Sequence, residues 1–561
     1  MSTTKKRPSG QSRSRATGQS RSRATGQNRS RTTGQSQSRT TGGSRSNASG
    51  RSRRGTAGKR STAGIRSTRK TSQFRRKSGV SARRMTGKSS KRKPQKKFDI
   101  SDWRVAVPCI VVLLFLCVLS ERLYQAQQEK IAARQEKQRQ EQLVRQKKRA
   151  KKIDARKIRV LIKTDGYEAL LHREVVITCD KAFYYKKDGV RHDCSAGEQI
   201  YFSMGELGED GSQTVRVGSD HGRLQLSSIT RTCGHPSYRG VLDITGYEDG
   251  LAVVSQVTLG QYLYSVVSSE IGTGSPLEAL KAQAICARSY ALRQLDGNRY
   301  PQYQADLDDS TTFQVYNNIA ETKSTIRAVR QTVGQVLLYK NNLAATYYYA
   351  TSWGHSADAS EVWGGEEKYL TGRWQLRDGK EKTTADQAEK EVDLSDNQDF
   401  EEFIRKCDWK MYDSDDIWYR WNAHVNLSEI SARSGVANVT GVEVTGRTKS
   451  GLVKEIRIIG DTSRVISDTT VMRRILQISD GSLTLTGGLR QAGQTMLPSN
   501  AFYVRVAGDR LMVYGGGFGH GIGMSQSGAC TMAKDHHKAD AILSFYYPGC
   551  HVGYPKTKKG N

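Results

Sequence analysis

Residues 257–298 read VTLGQYLYSVVSSEIGTGSPLEALKAQAICARSYALRQLDGN, and this stretch settles how the chain is built. Thr258 with Gln261 spells a capping box, and Ser275-Pro276-Leu277-Glu278 spells a second with proline at the first helical position. The pattern predicts two helices, starting at Leu259 and Pro276, joined by the link Ile271–Gly274. On both sides the text changes to short alternating runs. Upstream lie RVLIKTDG from Arg159, REVVITC, AFYYKKDG, QIYFSMG, TVRVG and GRLQLSS. Downstream, strands are predicted at Val336–Tyr339, Ala345–Tyr349, Val442–Val444, Glu455–Ile459, Tyr503–Val506 and Leu511–Tyr514, with helices near 386–406 and 468–477. Runs rich in Val, Ile, Tyr and Phe, broken by Gly/Asp turns, are antiparallel β structure. Strands and helices in irregular order predict an α+β fold, not a doubly wound sheet.

This folded part, 159–555, is preceded by three segments of different composition. Residues 1–104 hold 31 Lys/Arg, two acids (Asp99, Asp102) and no leucine. Such a segment cannot bury enough apolar surface to offset the entropy of ordering it, which predicts a disordered basic tail. Within it QSRSRATG at Gln11–Gly18 repeats at Gln19–Gly26, with four degraded copies to Gly58. An octapeptide with almost no apolar side chain is low complexity, not a stacking repeat. Three readings of the tail stay open: a solvated spacer, an arm for an anionic membrane, or a nucleic-acid arm. From Arg159 onward the chain carries 45 basic and 48 acidic residues, so a uniformly basic nucleic-acid enzyme is excluded.

Val105–Leu119 (VAVPCIVVLLFLCVL) is the long apolar run, and 105–120 is predicted as one transmembrane helix. Trp103 and Tyr124 stand where interfacial anchors belong. Six basic residues precede it (Lys91, Arg92, Lys93, Lys96, Lys97, Arg104) against three behind (Arg122, Lys130, Arg134). That bias predicts a cytoplasmic N-terminus and an extracytoplasmic C-terminal part. Residues 121–158 lack Gly and Pro and predict a helical stalk, up to ~57 Å long at 1.5 Å per residue.

Chemistry concentrates in two places. On the first helix the stripe Leu259, Leu263, Val266, Val267 leads to Glu270, which therefore issues from the buried face in the last turn. Desolvation and the carbonyl end of the helix both favour the protonated form. Such a carboxyl suits general acid catalysis on a glycosidic oxygen; equally, it could cap the helix or pair with Arg288. The second place is Tyr514–Cys530, YGGGFGHGIGMSQSGAC, with six glycines in positions 515–523. It does not fit a dinucleotide fingerprint. His520, Ser525 and Gln526 could bond sugar hydroxyls, or the loop could be purely structural. Cys530, His536, His537, Cys550 and His551 match no standard zinc spacing, and no GxSxG elbow occurs. Seven cysteines lie beyond the apolar run; Cys179 with Cys194 or Cys233 could form a disulfide, and Cys286 is expected as a buried thiol.

In order, YLYSVVSSEI…PLEALKAQAICARSYAL, TTFQVY, YYATSWGHSADASEVWGG, EIRIIG with MRRIL, and GFGHGIGMSQSGA…ILSFYYPG resemble the stage II sporulation protein D (SpoIID/LytB) family over about residues 159–555. The resemblance implies a lytic transglycosylase that cleaves the bond between N-acetylmuramic acid and N-acetylglucosamine in peptide-stripped peptidoglycan, leaving a 1,6-anhydro end. It places the catalytic glutamate on Glu270. It also puts forward Gln283, Arg288 and Tyr290 in the first block, and His520, Gly521, Ser525 and Gln526 in the second, as substrate-binding. Some relatives carry a Cys-x3-His-Cys metal set where this chain has Asp308, Thr312 and Phe313, so no metal or other cofactor is expected. Trp353 and His355 depart from the commonest form of the family and leave the sugar subsites open. The implied setting is wall remodelling during sporulation, with glycan strands and a cell-wall amidase as partners. The alternatives are a non-catalytic glycan-binding enhancer of an amidase and a DNA-tethering protein led by the tail.

Overall fold

The computed structural model describes residues 103–555 apart from 296, 298, 366 and 378–383. The basic tail with its repeats and expected disorder lies outside the described residues. Helix α1 (Trp103–Asp154) is continuous for 52 residues, so apolar run and stalk form one rod. Pro108 sits in its second turn, and no other Gly or Pro interrupts it. Side chains of the apolar run face outward; Leu113, Leu114 and Phe115 are each more than 60% exposed. Among the described residues this is the one helix long and apolar enough to cross a membrane.

The stalk ends earlier than its composition suggests. α1 stops at Asp154, and Lys157–Ile162 is already a strand. Ala150 and Ile153 are buried. The last turn of α1 is thus part of the folded body. Asp154 accepts from Arg288 Nε at 2.8 Å and Nη2 at 3.1 Å, and from the Gly334 amide at 3.1 Å.

The first half of the body is a seven-stranded sheet in the order Leu307–Asp308, Lys157–Ile162, Gly250–Thr258, Val241–Tyr247, Asp210–Gly218, Phe183–Lys187, Val190–Cys194. All its pairings are antiparallel except the first, which is parallel. Helices α2 (Leu259–Ile271) and α3 (Leu277–Gln294) follow directly from the third of these strands. The Thr258–Gln261 capping box forms in both directions. The second does not. Pro276 takes the N-cap position without a side-chain bond, because Ser275 donates backward to the Ile271 carbonyl at 2.8 Å. Glu278 instead holds Lys281 and the Ala539 amide.

α3 is apolar or small nearly all round, the mark of a helix buried on both sides. Leu280, Ala284, Ala287 and Ala291 enter the core of the first half. Ala279, Ala282, Ile285 and Cys286 enter a second core with Trp353, Phe400 and Phe403. A third core lies between a five-stranded and a three-stranded sheet built from residues 421–515. The 386–406 pattern divides into Ala385–Glu391 and Asn397–Lys406, since Asp396 caps a new start by accepting from the Gln398 and Asp399 amides. The run Ala345–Tyr349 shortens to Tyr348–Tyr349. All nine cysteines are free thiols, Cys179, Cys194 and Cys233 included; Cys286 is buried and donates to the Tyr547 hydroxyl at 3.5 Å.

Asp154→Ala will leave a fully buried guanidinium without its counter-charge. Breaking a buried pair from one side costs about 3–5 kcal/mol, so urea unfolding of a chain comprising residues 121–561 should show that loss. A change below about 1 kcal/mol would mean that α1 is not anchored through this pair.

Candidate active site

Leu259, Leu263, Val266 and Val267 are fully buried, and Glu270 follows on the same face in the last turn of α2. Its half-buried carboxyl forms part of a cleft of about 420 Å³, lined also by Ser275, Thr351, Trp418, Phe518, Gln526 and Lys534. The Val315 amide donates to Oε1 at 2.7 Å, and the side chains of Tyr348 and Gln526 stand by the carboxyl and favour its charged form. Burial pushes its pKa from 4.5 up to about 7, while these three groups oppose that rise. The group is therefore poised to give or take a proton near neutrality. The helix end anticipated from sequence as a cause is not among the principal ones.

Each donor is delivered by a different piece of backbone logic. The Val315 segment is laid along α2 by hydroxyls at one-turn spacing: Ser265 Oγ accepts from the Asn317 amide at 3.0 Å and Ser269 Oγ from Ile319 at 3.1 Å. Its start is pinned by buried Asp309, which accepts from Arg231 at 2.9 Å and from the Lys163 amide at 3.0 Å. Tyr348 and Gln526 converge because their strands run in parallel, Tyr348 paired with Met524 and Tyr349 with Ser525. The Ser527 amide closes the link on the Ala350 carbonyl at 2.9 Å.

The glycines of the loop that leads into Met524 have packing roles of their own. A Cβ on Gly523, at φ +80°, would stand 2.1 Å from the Tyr347 carbonyl. One on Gly521 would stand 2.6 Å from the Trp353 ring. Gly523 lets two backbones lie against each other, and Gly521 leaves room for the Trp353 ring.

Of the residues put forward as substrate-binding, the structure brings Gln526 to the cleft beside Glu270. Gln283 is fully buried behind it and accepts from Gln526 Nε2 at 3.4 Å, so it orients Gln526 and is itself screened from the cleft. Arg288 is fully buried on Asp154 and the carbonyls of Ala284, Gln335 and Val329; it does not line the cleft or pair with Glu270. Tyr290 packs on Tyr347 at 6.1 Å and does not line the cleft. Burial first, then Tyr347 and the Glu270 charge, push its phenol to about 12. His520 is saturated: Nδ1 accepts from the Ile522 amide at 3.0 Å, and the ring bonds the Tyr348 backbone. Burial holds its pKa at about 4, so it is neutral. Ser525 donates to buried Asp413 and caps the helix Gln526–Lys534 by accepting from the Gly528 amide at 3.2 Å. Trp353, which donates to the Ser450 carbonyl at 3.0 Å, and His355 are both buried away from the cleft.

Sequence reasoning missed Val315, Tyr348 and the Trp418–Phe518 pair, whose rings lie 4.6 Å apart on the cleft wall. Tyr348 and Val315 stand inside quoted motifs, where their value was hidden by the more eye-catching polar residues. Trp418 lies in no motif, and only the Gly517 amide bonding its carbonyl at 3.0 Å brings it to Phe518. Where relatives hold a metal set, Asp308 accepts from the Tyr300 hydroxyl at 2.7 Å and from the Ser310 amide and hydroxyl at 2.8 and 2.7 Å. Among the described residues, no group of three His, Cys, Asp or Glu is placed to hold a metal.

Residues 247–339, which contain both helices and the Val315 segment, match the family described as stage II sporulation protein (SpoIID). Residues 357–523 match a domain of unknown function, DUF8618. The chain is 27% identical to the amidase enhancer of Bacillus subtilis over 51% of its own length and 39% of that protein's. It is also 27% identical to the stage II sporulation protein D of Bacillus subtilis, covering 55% of this chain and 79% of the relative. An uncharacterised protein of Brachyspira hyodysenteriae matches at 27% over 57% and 74% of the two chains. Residues 247–339 thus match the SpoIID model, and the chain as a whole is similar to stage II sporulation protein D.

Proposed function

We propose that this protein is a peptidoglycan lytic transglycosylase that uses Glu270 as its single acid and base. The reading rests on one observation: a half-buried carboxyl, bonded by the Val315 amide and pushed up to about 7, in a cleft walled by Trp418 and Phe518. Aromatic faces suit the apolar faces of pyranose rings, and a neutral carboxyl can protonate a leaving glycosidic oxygen. In this scheme the Glu270 proton passes to the oxygen between N-acetylmuramic acid and N-acetylglucosamine as its bond to the anomeric carbon breaks. The carboxylate left behind is held by Val315, Tyr348 and Gln526. It then takes the proton of the muramoyl 6-hydroxyl as that oxygen attacks the anomeric carbon, closing the 1,6-anhydro ring. One group serves both steps, so a second carboxylate at glycosidase spacing is not needed.

α1 is consistent with a single membrane anchor. The basic excess before the span sets the N-terminus in the cytoplasm and the cleft outside. The helix continues about 34 residues past Ser120, which would hold the body roughly 50 Å from the bilayer. The relatives support a cell-wall-related role in sporulation. The amidase enhancer resemblance supports a second reading, in which the cleft binds glycan and stimulates an amidase.

Purified residues 121–561 incubated with peptide-free glycan strands should release anhydro-muramoyl ends visible by mass spectrometry. Glu270→Gln should slow release by about 10²–10⁴-fold while glycan binding persists. If wild type releases none but binds glycan and accelerates an amidase, the second reading replaces the first. The rate should also depend on pH with a defined sign. Glu270 must carry its proton to start the reaction, so kcat/KM should fall about tenfold per unit above about 7. A profile flat from pH 6 to 9 would remove Glu270 as the acid.

A further inference from the structure

The buried amide of Gln314 has no place in the scheme above, yet its geometry fixes which way a proton points. Gln314 is fully buried. Its Nε2 donates to the Ala287 carbonyl at 3.4 Å and to the Tyr348 hydroxyl at 2.9 Å. Its Oε1 accepts from the Tyr262 hydroxyl at 3.3 Å. A carbonyl can only accept, so the nitrogen of this amide must be the atom facing Ala287; the flipped amide would set two acceptors against each other. With that orientation Gln314 can only donate to Tyr348. The single hydrogen of the Tyr348 hydroxyl is then left for Glu270, whose charged form it favours.

We propose that Gln314 is a positioning residue that acts through Tyr348, forcing the phenol to be a donor to the Glu270 carboxylate. The chain runs in one direction, from Tyr262 through Gln314 and Tyr348 to Glu270: the first two links are hydrogen bonds at 3.3 and 2.9 Å, and the last is the pull of the phenol on the Glu270 carboxyl. Its consequence is a carboxylate stabilised at the moment after proton donation, when the proposed reaction needs it as a base. The reading rests on the catalytic role of Glu270 for its purpose, but not for its measurement. The other titratable groups facing Glu270 are the phenols Tyr167, Tyr262 and Tyr290 and, from the cleft walls, Asp415, Asp416, Cys530 and Lys534. None of them is altered by the substitutions below.

The Glu270 pKa can be read without catalysis. Because folding raises it from 4.5, ionised Glu270 destabilises the fold, and the protein loses stability as pH rises to about 7. Glu270→Gln lacks this loss, so the stability difference between the two proteins grows through that window and then levels off at the folded pKa. The pair is compared by urea unfolding of residues 121–561 in four backgrounds: unaltered, Tyr348→Phe, Gln314→Met and the double variant. Tyr348→Phe should move the levelling point up by about one unit, as expected for losing one hydrogen bond to the charged form. Gln314→Met should move it in the same direction, and the double variant no further than Tyr348→Phe alone. Gln314→Leu also removes the donor to Tyr348 without adding a charge, and should raise the point as far as Gln314→Met does; it decides the matter if the Met variant does not fold. An unmoved levelling point in the Gln314 variants overturns the proposal. So does an equal shift by Gln314→Met with Phe at position 348, which would show a general packing effect. If the glycan assay fails while these shifts appear, the catalytic reading falls and the hydrogen-bond chain stands. Where cleavage is seen, Gln314→Met should lower kcat and move the alkaline limb upward with KM unchanged.

Discussion

Glu270 is partly withdrawn from water but not from hydrogen-bond donors, and much of the molecule is arranged around that tension. Dehydration alone would make it a permanently neutral acid, unable to act as a base. Three unopposed donors in water would make it a permanent carboxylate. The pKa of about 7 is the balance of the two. Each side of the balance has its own structural supplier. The apolar stripe of α2 provides the dehydration. The Val315 segment and the paired strands at Tyr348 and Met524 provide the donors.

That division explains why α3 must be so closely packed. Its two faces join the core beneath the large sheet to the core around Trp353. The Val315 segment comes from the first half and Gln526 from the second, so the donors keep their places around Glu270 only if the halves do not shift against each other. Small residues at Ala279, Ala282, Ala284, Ala287 and Ala291 permit close approach on both sides. Arg288, in the middle of the same helix, ties it to the end of α1 through Asp154. The rod that carries the apolar run is thereby joined to the helix that backs the cleft.

What could be read from the sequence was local. The two helices, the Thr258–Gln261 box, the placement of Glu270 after its apolar stripe and most strands follow from periodicity and capping chemistry, which act over a few residues. The roles of Arg288, Ser525 and Gln283 could not be read this way. Their partners are Asp154, Asp413 and Gln526, more than a hundred residues away along the chain. A polar residue in a dense motif looks the same whether it faces a sugar or a buried carboxylate. The failed box at Ser275 is the same lesson at short range, since a hydroxyl that could cap forward was recruited to close the preceding turn. Tyr348 escaped notice for the opposite reason. A tyrosine in an apolar run reads as core until the hydroxyl is seen to have a direction.

The carboxyl also bears on the choice between an enzyme and a glycan-binding enhancer. Raising its pKa from 4.5 to about 7 destabilises the fold at neutral pH by on the order of 2–3 kcal/mol, a large share of the stability of an ordinary domain. A module that only grips sugar hydroxyls has no use for that penalty, since glutamine at the same position would offer a donor and an acceptor without it. The penalty is intelligible where the proton itself is used. This asymmetry, more than the shape of the cleft, is the physical ground for preferring bond cleavage over binding.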